Sequence, residues 1–226
     1  MNNGNGKHDA ERLALASSSR DTEAKPLIPL LPSLTTAPTR DHLEEIFRLL
    51  LVELGINVNS EHFQDTPARV ARVYRDFTRG YAARPQDILK TFGSKTNGLV
   101  VVSNIDFFSL CPHHLLVYGG VIHFAYVPNG RIVGVSKIPR LVRALAARPV
   151  VQEALAADIA DAFMSVVEPQ GCAVKAIGRH DCVAARGVRS AATVITAVVK
   201  RGVFEETDSL CREFDQAIAE GANYGH

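Results

Sequence analysis

An excess of charge of one sign is the first thing this sequence lacks. Its 226 residues carry 25 Lys and Arg against 24 Asp and Glu, a formal net charge of +1. No bulk electrostatic attraction therefore draws it to nucleic acid or to an anionic membrane. Long apolar runs are missing too. The one early apolar patch, Pro26-Leu-Ile-Pro-Leu-Leu-Pro32, is broken by prolines and too short for a signal-peptide core or a membrane span. Cysteine is scarce, and its four copies are irregularly spaced, so they make no disulfide framework. There is no internal repeat and no Gly-rich phosphate loop of the Walker type. These absences describe a cytoplasmic protein with reduced thiols and with neither a nucleic-acid nor a membrane partner.

What is present is enough for one sizeable core, since 46% of residues are hydrophobic. Residues 1–38 are rich in Asn, Gly, Ser, Thr and Pro without an apolar period, which predicts a disordered tail ahead of a single domain over 39–226. Asp41-His42-Leu43-Glu44 predicts a capped helix with Leu43, Ile46, Phe47, Leu50 and Leu54 on one stripe and Gly55 at its end. Thr66-Pro67 predicts a second helix, with Thr66 as N-cap and a buried stripe of Val70, Val73, Tyr74 and Phe77. Strands are expected at 99–108, with a bulge at Ser103-Asn104, and at 121–127. The latter returns through Pro128-Asn129-Gly130 to pair with 131–136. Helices follow at 138–146 and 150–167, then an antiparallel pair of strands at 172–177 and 191–199, then a helix over 209–220. This order predicts an α+β fold with an antiparallel sheet. An open sheet with apolar residues on both faces leaves edges that self-association into a larger barrel would close, so the chain is expected to be an oligomer.

Two short stretches carry the chemistry. Cys111 and His114 stand three apart, a spacing that lets a thiolate and an imidazole share one metal in a turn. His180 and Cys182 are two apart and would share a face of a strand. Cys111, His114 and Cys182 make three soft or borderline ligands. Three protein ligands with an open fourth position is the pattern of a catalytic zinc, whereas a structural zinc takes four. The competing reading is a set of small buried core cysteines, and spacing alone leaves both open.

Other stretches join these: Asp65-Thr-Pro-Ala-Arg-Val-Ala71, Phe107-Phe-Ser-Leu-Cys-Pro-His-His114, His123-Phe-Ala-Tyr-Val-Pro128, Gly134-Val-Ser-Lys-Ile-Pro-Arg140, Arg148-Pro-Val-Val-Gln-Glu153 and His180-Asp-Cys-Val-Ala-Ala-Arg-Gly-Val188. In this order the sequence resembles GTP cyclohydrolase I from about residue 41 onward. The resemblance implies a tunnelling fold, in which four-stranded antiparallel sheets assemble into an oligomeric barrel. It also implies a homodecamer of two pentamers with active sites between subunits. It assigns one Zn2+ per subunit to Cys111, His114 and Cys182, and an acid–base role to His113 and His180. The zinc would activate water for attack at C8 of GTP, while protonation of N7 makes that carbon electrophilic. Glu153 would accept hydrogen bonds from guanine N1–H and the 2-amino group, a donor pair that adenine lacks. Gln152 would join it in binding substrate. Ser136 would contact the nucleotide, Lys137, Arg140 and Arg186 the triphosphate, and Arg69 and Arg72 the triphosphate of a neighbouring subunit. Read singly, Glu153 is a helix-dipole carboxylate and each basic residue a solvated charge.

The sequence departs from the family pattern at two places. Pro112 replaces a Glu between the ligand Cys and the catalytic His, removing a carboxylate and a backbone N–H. Thr196-Ala-Val-Val199 replaces a run richer in hydroxyls. The expected reaction is hydrolysis of GTP with formate release and reclosure to 7,8-dihydroneopterin triphosphate, for a folate, pterin or deazapurine pathway. The alternatives are an enzyme that stops at a ring-opened nucleotide, and a zinc- and GTP-binding scaffold without turnover.

Overall fold

The computed structural model describes residues 41–221, and the tail expected at 1–38 lies outside them. Helix α1 (His42–Glu53) opens as predicted, with the Asp41 carboxylate accepting from the Glu44 backbone N–H at 3.3 Å. Gly55 follows it at φ +76°, a left-handed conformation that costs glycine nothing. Helix α2 (Thr66–Asp76) begins one residue earlier than expected, with Asp65 rather than Thr66 as N-cap. The two helices meet through the Phe47 and Tyr74 rings, 5.1 Å apart, and through an Arg75–Asp41 ion pair. Their expected buried stripes are only partly buried. Ile46 is 58%, Leu54 65% and Val73 47% exposed, and Pro67 and Ala71 are the buried residues of α2. Each helix covers the other only where the two touch, so an apolar face of α1 is left outward.

A 3-10 turn (Arg79–Ala82) and α3 (Pro85–Ile88) lead to the short β1 (Thr91–Gly93). The main sheet is built from β2 (Val100–Leu110) and β3 (Val117–Val127), and later β5 (Gly171–His180) and β6 (Ile195–Gly202). Between them lie β4 (Arg131–Val133), α4 (Lys137–Ala146), α5 (Gln152–Val167) and the single-turn α6 (Asp181–Ala184). The chain closes with α7 (Val203–Glu206) and α8 (Asp208–Gly221). The sheet order is β2-β3-β5-β6, all antiparallel, which bears out the α+β expectation. The register of β2 shifts between Val102 and Ile105, with Asn104 at φ +57°, so the expected bulge is there.

Two expectations are corrected. The strand after Asn129-Gly130 pairs with β1, Thr91 opposite Val133, and not with β3. Both edges of β3 are already taken by β2 and β5, so the returning segment had no partner there. Cys182 is not on a strand either. β5 ends at His180 and the chain turns into α6, which carries Cys182 in its first turn.

Helices α4 and α5 cover one face of the sheet. Their core includes Phe107, Ile122, Phe124, Leu141, Ile159 and Phe163, with the Phe124 and Phe163 rings edge-on at 4.6 Å. Helices α7 and α8 cover part of the other face, where Phe204 and Phe214 pack on Ala125, Val127 and Ala173. Truncating a ring as buried as Phe163 costs about 3–5 kcal/mol. That sets the scale of what holds the sheet and α5 together, and α5 in turn delivers the residues of the site.

Candidate metal centre and active site

The end of β2 is tied to the segment that starts α5. Ser109 Oγ donates to the Arg148 carbonyl at 2.9 Å, the Val150 N–H donates to the Leu110 carbonyl at 3.1 Å, and the Tyr118 hydroxyl donates to the Val150 carbonyl at 2.8 Å. These bonds bring Cys111 and its neighbours beside residues 150–153. The turn after Cys111 is closed on itself. Its N–H donates to the Leu116 carbonyl at 2.9 Å, and its carbonyl accepts from the Leu115 N–H at 2.8 Å. Leu115 adopts φ +52°, an unfavourable conformation for a γ-branched residue. The Tyr74 hydroxyl of α2 holds that turn by donating to the Leu115 carbonyl at 3.1 Å.

On this frame the ligand atoms of Cys111, His114 and Cys182 all lie within 4.8 Å of one another. Cys111 Sγ and His114 Nδ1 are 3.8 Å apart. In a tetrahedral zinc site, with Zn–S of about 2.3 Å and Zn–N of about 2.0–2.1 Å, that edge is about 3.6 Å. That edge fits the metal in distance, and two thiols with an imidazole fit it in softness. Electrostatics agrees. Burial first, and then the Cys111 thiol beside it, push the Cys182 thiol above its usual range. Thiols this close oppose a second thiolate, and a divalent cation between them reverses that opposition. His114 turns Nδ1 to the cluster while its Nε2 meets the Arg186 guanidinium.

The chain matches the GTP cyclohydrolase I family over residues 43–219. It belongs to that family. A protein of Clostridium perfringens carrying the name GTP cyclohydrolase 1 is 38% identical over 181 residues, which is 80% of this chain and 98% of the relative. One from Campylobacter curvus is 39% identical over 79% of this chain and 95% of its own. One from Campylobacter jejuni is 41% identical over 77% and 93%.

Around this GTP cyclohydrolase I cluster the predicted residues fall into two groups. His113, exposed, presents Nδ1 at 3.8 Å from Cys111 Sγ. His180, half-buried, stacks on Tyr118 with centroids 4.3 Å apart and planes 13° from parallel. Burial pulls the His180 pKa below the usual imidazole value, and the charge of Glu153 pulls it the other way. Glu153 itself is exposed in the first turn of α5. Arg186 reaches His114, as described. The second group is Ser136, Lys137, Arg140, Arg69 and Arg72. Ser136 is the N-cap of α4 and makes no capping bond through its side chain; Lys137 begins that helix and Arg140 is exposed one turn on. Arg69 is exposed and paired with Asp65 at 3.1 Å, and Arg72 is exposed on the same helix. Among the described residues, none of these five makes a side-chain bond to the cluster.

Gln152 differs from the expectation. It is wholly buried, and its amide is engaged with Ala176, Ile195 and His180, so it has no proton left for a nucleotide. Tyr118 and Tyr74 are the residues that sequence reasoning missed. Tyr118 lies directly across from His180 in the β3–β5 register, a relation that becomes visible only when the strands are paired. Burial raises its hydroxyl pKa to about 12, so it works as a neutral donor and a flat surface.

Proposed function

We propose that this chain hydrolyses GTP at C8, releases formate and recloses the ring to 7,8-dihydroneopterin triphosphate, using one zinc per subunit held by Cys111, His114 and Cys182. The observation that carries this reading is the three-ligand cluster with two further histidines, His113 and His180, beside it. Zinc bound there supplies Lewis acidity and lowers the pKa of water toward neutrality. The protein's own groups supply the rest. Glu153, exposed in the first turn of α5, offers two acceptor oxygens to guanine N1–H and the 2-amino group and thereby selects guanine over adenine. His180 donates a proton at N7 and so makes C8 electrophilic. His113, beside Cys111, moves protons as the C8–N bond breaks and formate leaves. Lys137, Arg140 and Arg186 neutralise the triphosphate, and Ser136 bonds to the nucleotide.

Arg69 and Arg72 serve the same nucleotide from a neighbouring subunit in a homodecamer of two pentamers. Three features of the described residues support an assembly of this kind: β2 and β6 stand at the edges of the sheet, an apolar face of α1 is outward, and neither Arg69 nor Arg72 makes a side-chain bond to the cluster of its own chain. The product feeds a pterin, folate or deazapurine route in the cytoplasm. Exchange of His113 for Ala tests the reading. The variant keeps its zinc and its oligomeric state and loses formate release by about 10²-fold or more. A zinc- and GTP-binding scaffold would have no formate release to lose.

A further inference from the structure

Gln152 sits at the first position of α5, and its amide is used completely. Nε2 donates to the Ala176 carbonyl at 3.0 Å on β5 and to the Ile195 carbonyl at 2.9 Å at the start of β6. An amide nitrogen has two protons, so both are spent. The amide cannot be turned over, because that would set its oxygen against two carbonyl oxygens. Its Oε1 therefore faces His180 Nε2 at 2.9 Å, and an amide oxygen only accepts. The ring nitrogen opposite it must carry a proton, which leaves Nδ1 bare in the neutral imidazole. Tyr118, anchored through its hydroxyl to Val150, holds the ring from one face. Gly178 provides the room, since a Cβ at that position would lie 2.4 Å from Gln152 Oε1.

We propose that Gln152 is a positioning residue that fixes His180 as its Nε2–H tautomer, so that Nδ1 is the atom exchanging a proton with the purine ring. This rests on the acid–base reading of His180 given above. In the cationic state both nitrogens carry protons. Nδ1 gives its proton to N7 and later takes one back, while Nε2–H stays on Gln152 throughout. The ring needs no rotation between steps. The arrangement also explains a pair of neighbours with opposite fates. Successive helical residues point about 100° apart. One helix start can therefore bury the Gln152 amide in the sheet and leave the Glu153 carboxylate free for the base.

The test is solid-state 15N NMR on sedimented, zinc-loaded full-length protein labelled at histidine, at a pH where the imidazole is neutral. The His180 signals are assigned by their loss in His180→Asn. Expected is a protonated Nε2 and a bare Nδ1. In Gln152→Leu the tautomer becomes mixed or reverses, kcat falls about 10–100-fold, and KM for GTP and zinc content stay within about twofold. A protonated Nδ1 in the wild type overturns the proposal, as does an unchanged tautomer in Gln152→Leu or a loss that falls on KM. The wild-type spectrum needs no substrate, so it judges the tautomer even if a variant fails to fold. A wild type with the expected tautomer but no turnover overturns the proton-transfer role and leaves the tautomer standing.

Discussion

The smallest change that reaches the heart of the site is one methyl group at position 178. A Cβ there would lie 2.4 Å from Gln152 Oε1, about 1 Å inside ordinary van der Waals contact. Gln152 can retreat only by giving up its bonds to the Ala176 and Ile195 carbonyls. A buried or part-buried carbonyl that loses its donor costs up to about 1–3 kcal/mol, the Ala176 carbonyl being the buried one of the two. Gly178→Ala should therefore destabilise the metal-free protein by about 2–5 kcal/mol. Gln152→Ala on its own should cost a similar amount, because it strands the same carbonyls. The two effects share one cause, so the double variant should be less destabilised than their sum by more than 1 kcal/mol. Urea unfolding at fixed protein concentration measures this. Far-UV circular dichroism is the suitable signal, since the chain has no tryptophan. Additivity within about 0.5 kcal/mol, or a neutral Gly178→Ala, would refute the argument that this glycine exists to make room for the amide.

Three further outcomes are expected. Tyr74→Phe removes the donor to the Leu115 carbonyl, a bond worth about 0.5–1.5 kcal/mol, and should weaken zinc binding about 2–10-fold in competition with a chromophoric chelator. Burial drives the Cys172 thiol to about 12, so it should stay silent to thiol reagents until the protein unfolds, while half-exposed Cys182 reacts in zinc-free protein and is protected by zinc. His123 has its pKa pulled below 6.5 by burial and then by Lys175. Its contribution to stability is therefore intact above about pH 6.5 and is lost as pH falls through the lower folded value. The urea midpoint of metal-free protein should drop between about pH 7 and pH 5, and His123→Gln should flatten that drop.

Much of the fold was legible because the signals were local. Asp41 caps α1, Gly55 follows it, Asn104 marks the bulge, and Pro169-Gln170-Gly171 separates α5 from β5. The errors came where pairing decides. Asn129-Gly130 announces a tight turn but not the partner of the next strand, and β4 went to β1 because β3 had no free edge. The grouping of Cys111, His114 and Cys182 was suggested by residue types and spacing together with the family resemblance, although the switch from β5 to α6 between His180 and Cys182 was not legible. Gln152 looked like a substrate residue because it adjoins Glu153. Its burial and its bonds to β5 and β6 depend on the sheet's register, which no single stretch of sequence displays. The apolar stripe of α1 was read correctly as a stripe, but among the described residues only part of it is covered.

The most direct test of the account is product analysis on the purified, zinc-loaded protein. It is incubated with GTP, formate is measured, and the mixture is oxidised and examined for neopterin fluorescence. The account predicts neopterin and formate in equal amounts, with both lost when zinc is chelated and restored when it is returned. Formate without neopterin would show ring opening without reclosure and contradict the proposed product. Neither product, with zinc bound and the oligomer intact, would contradict the reaction itself.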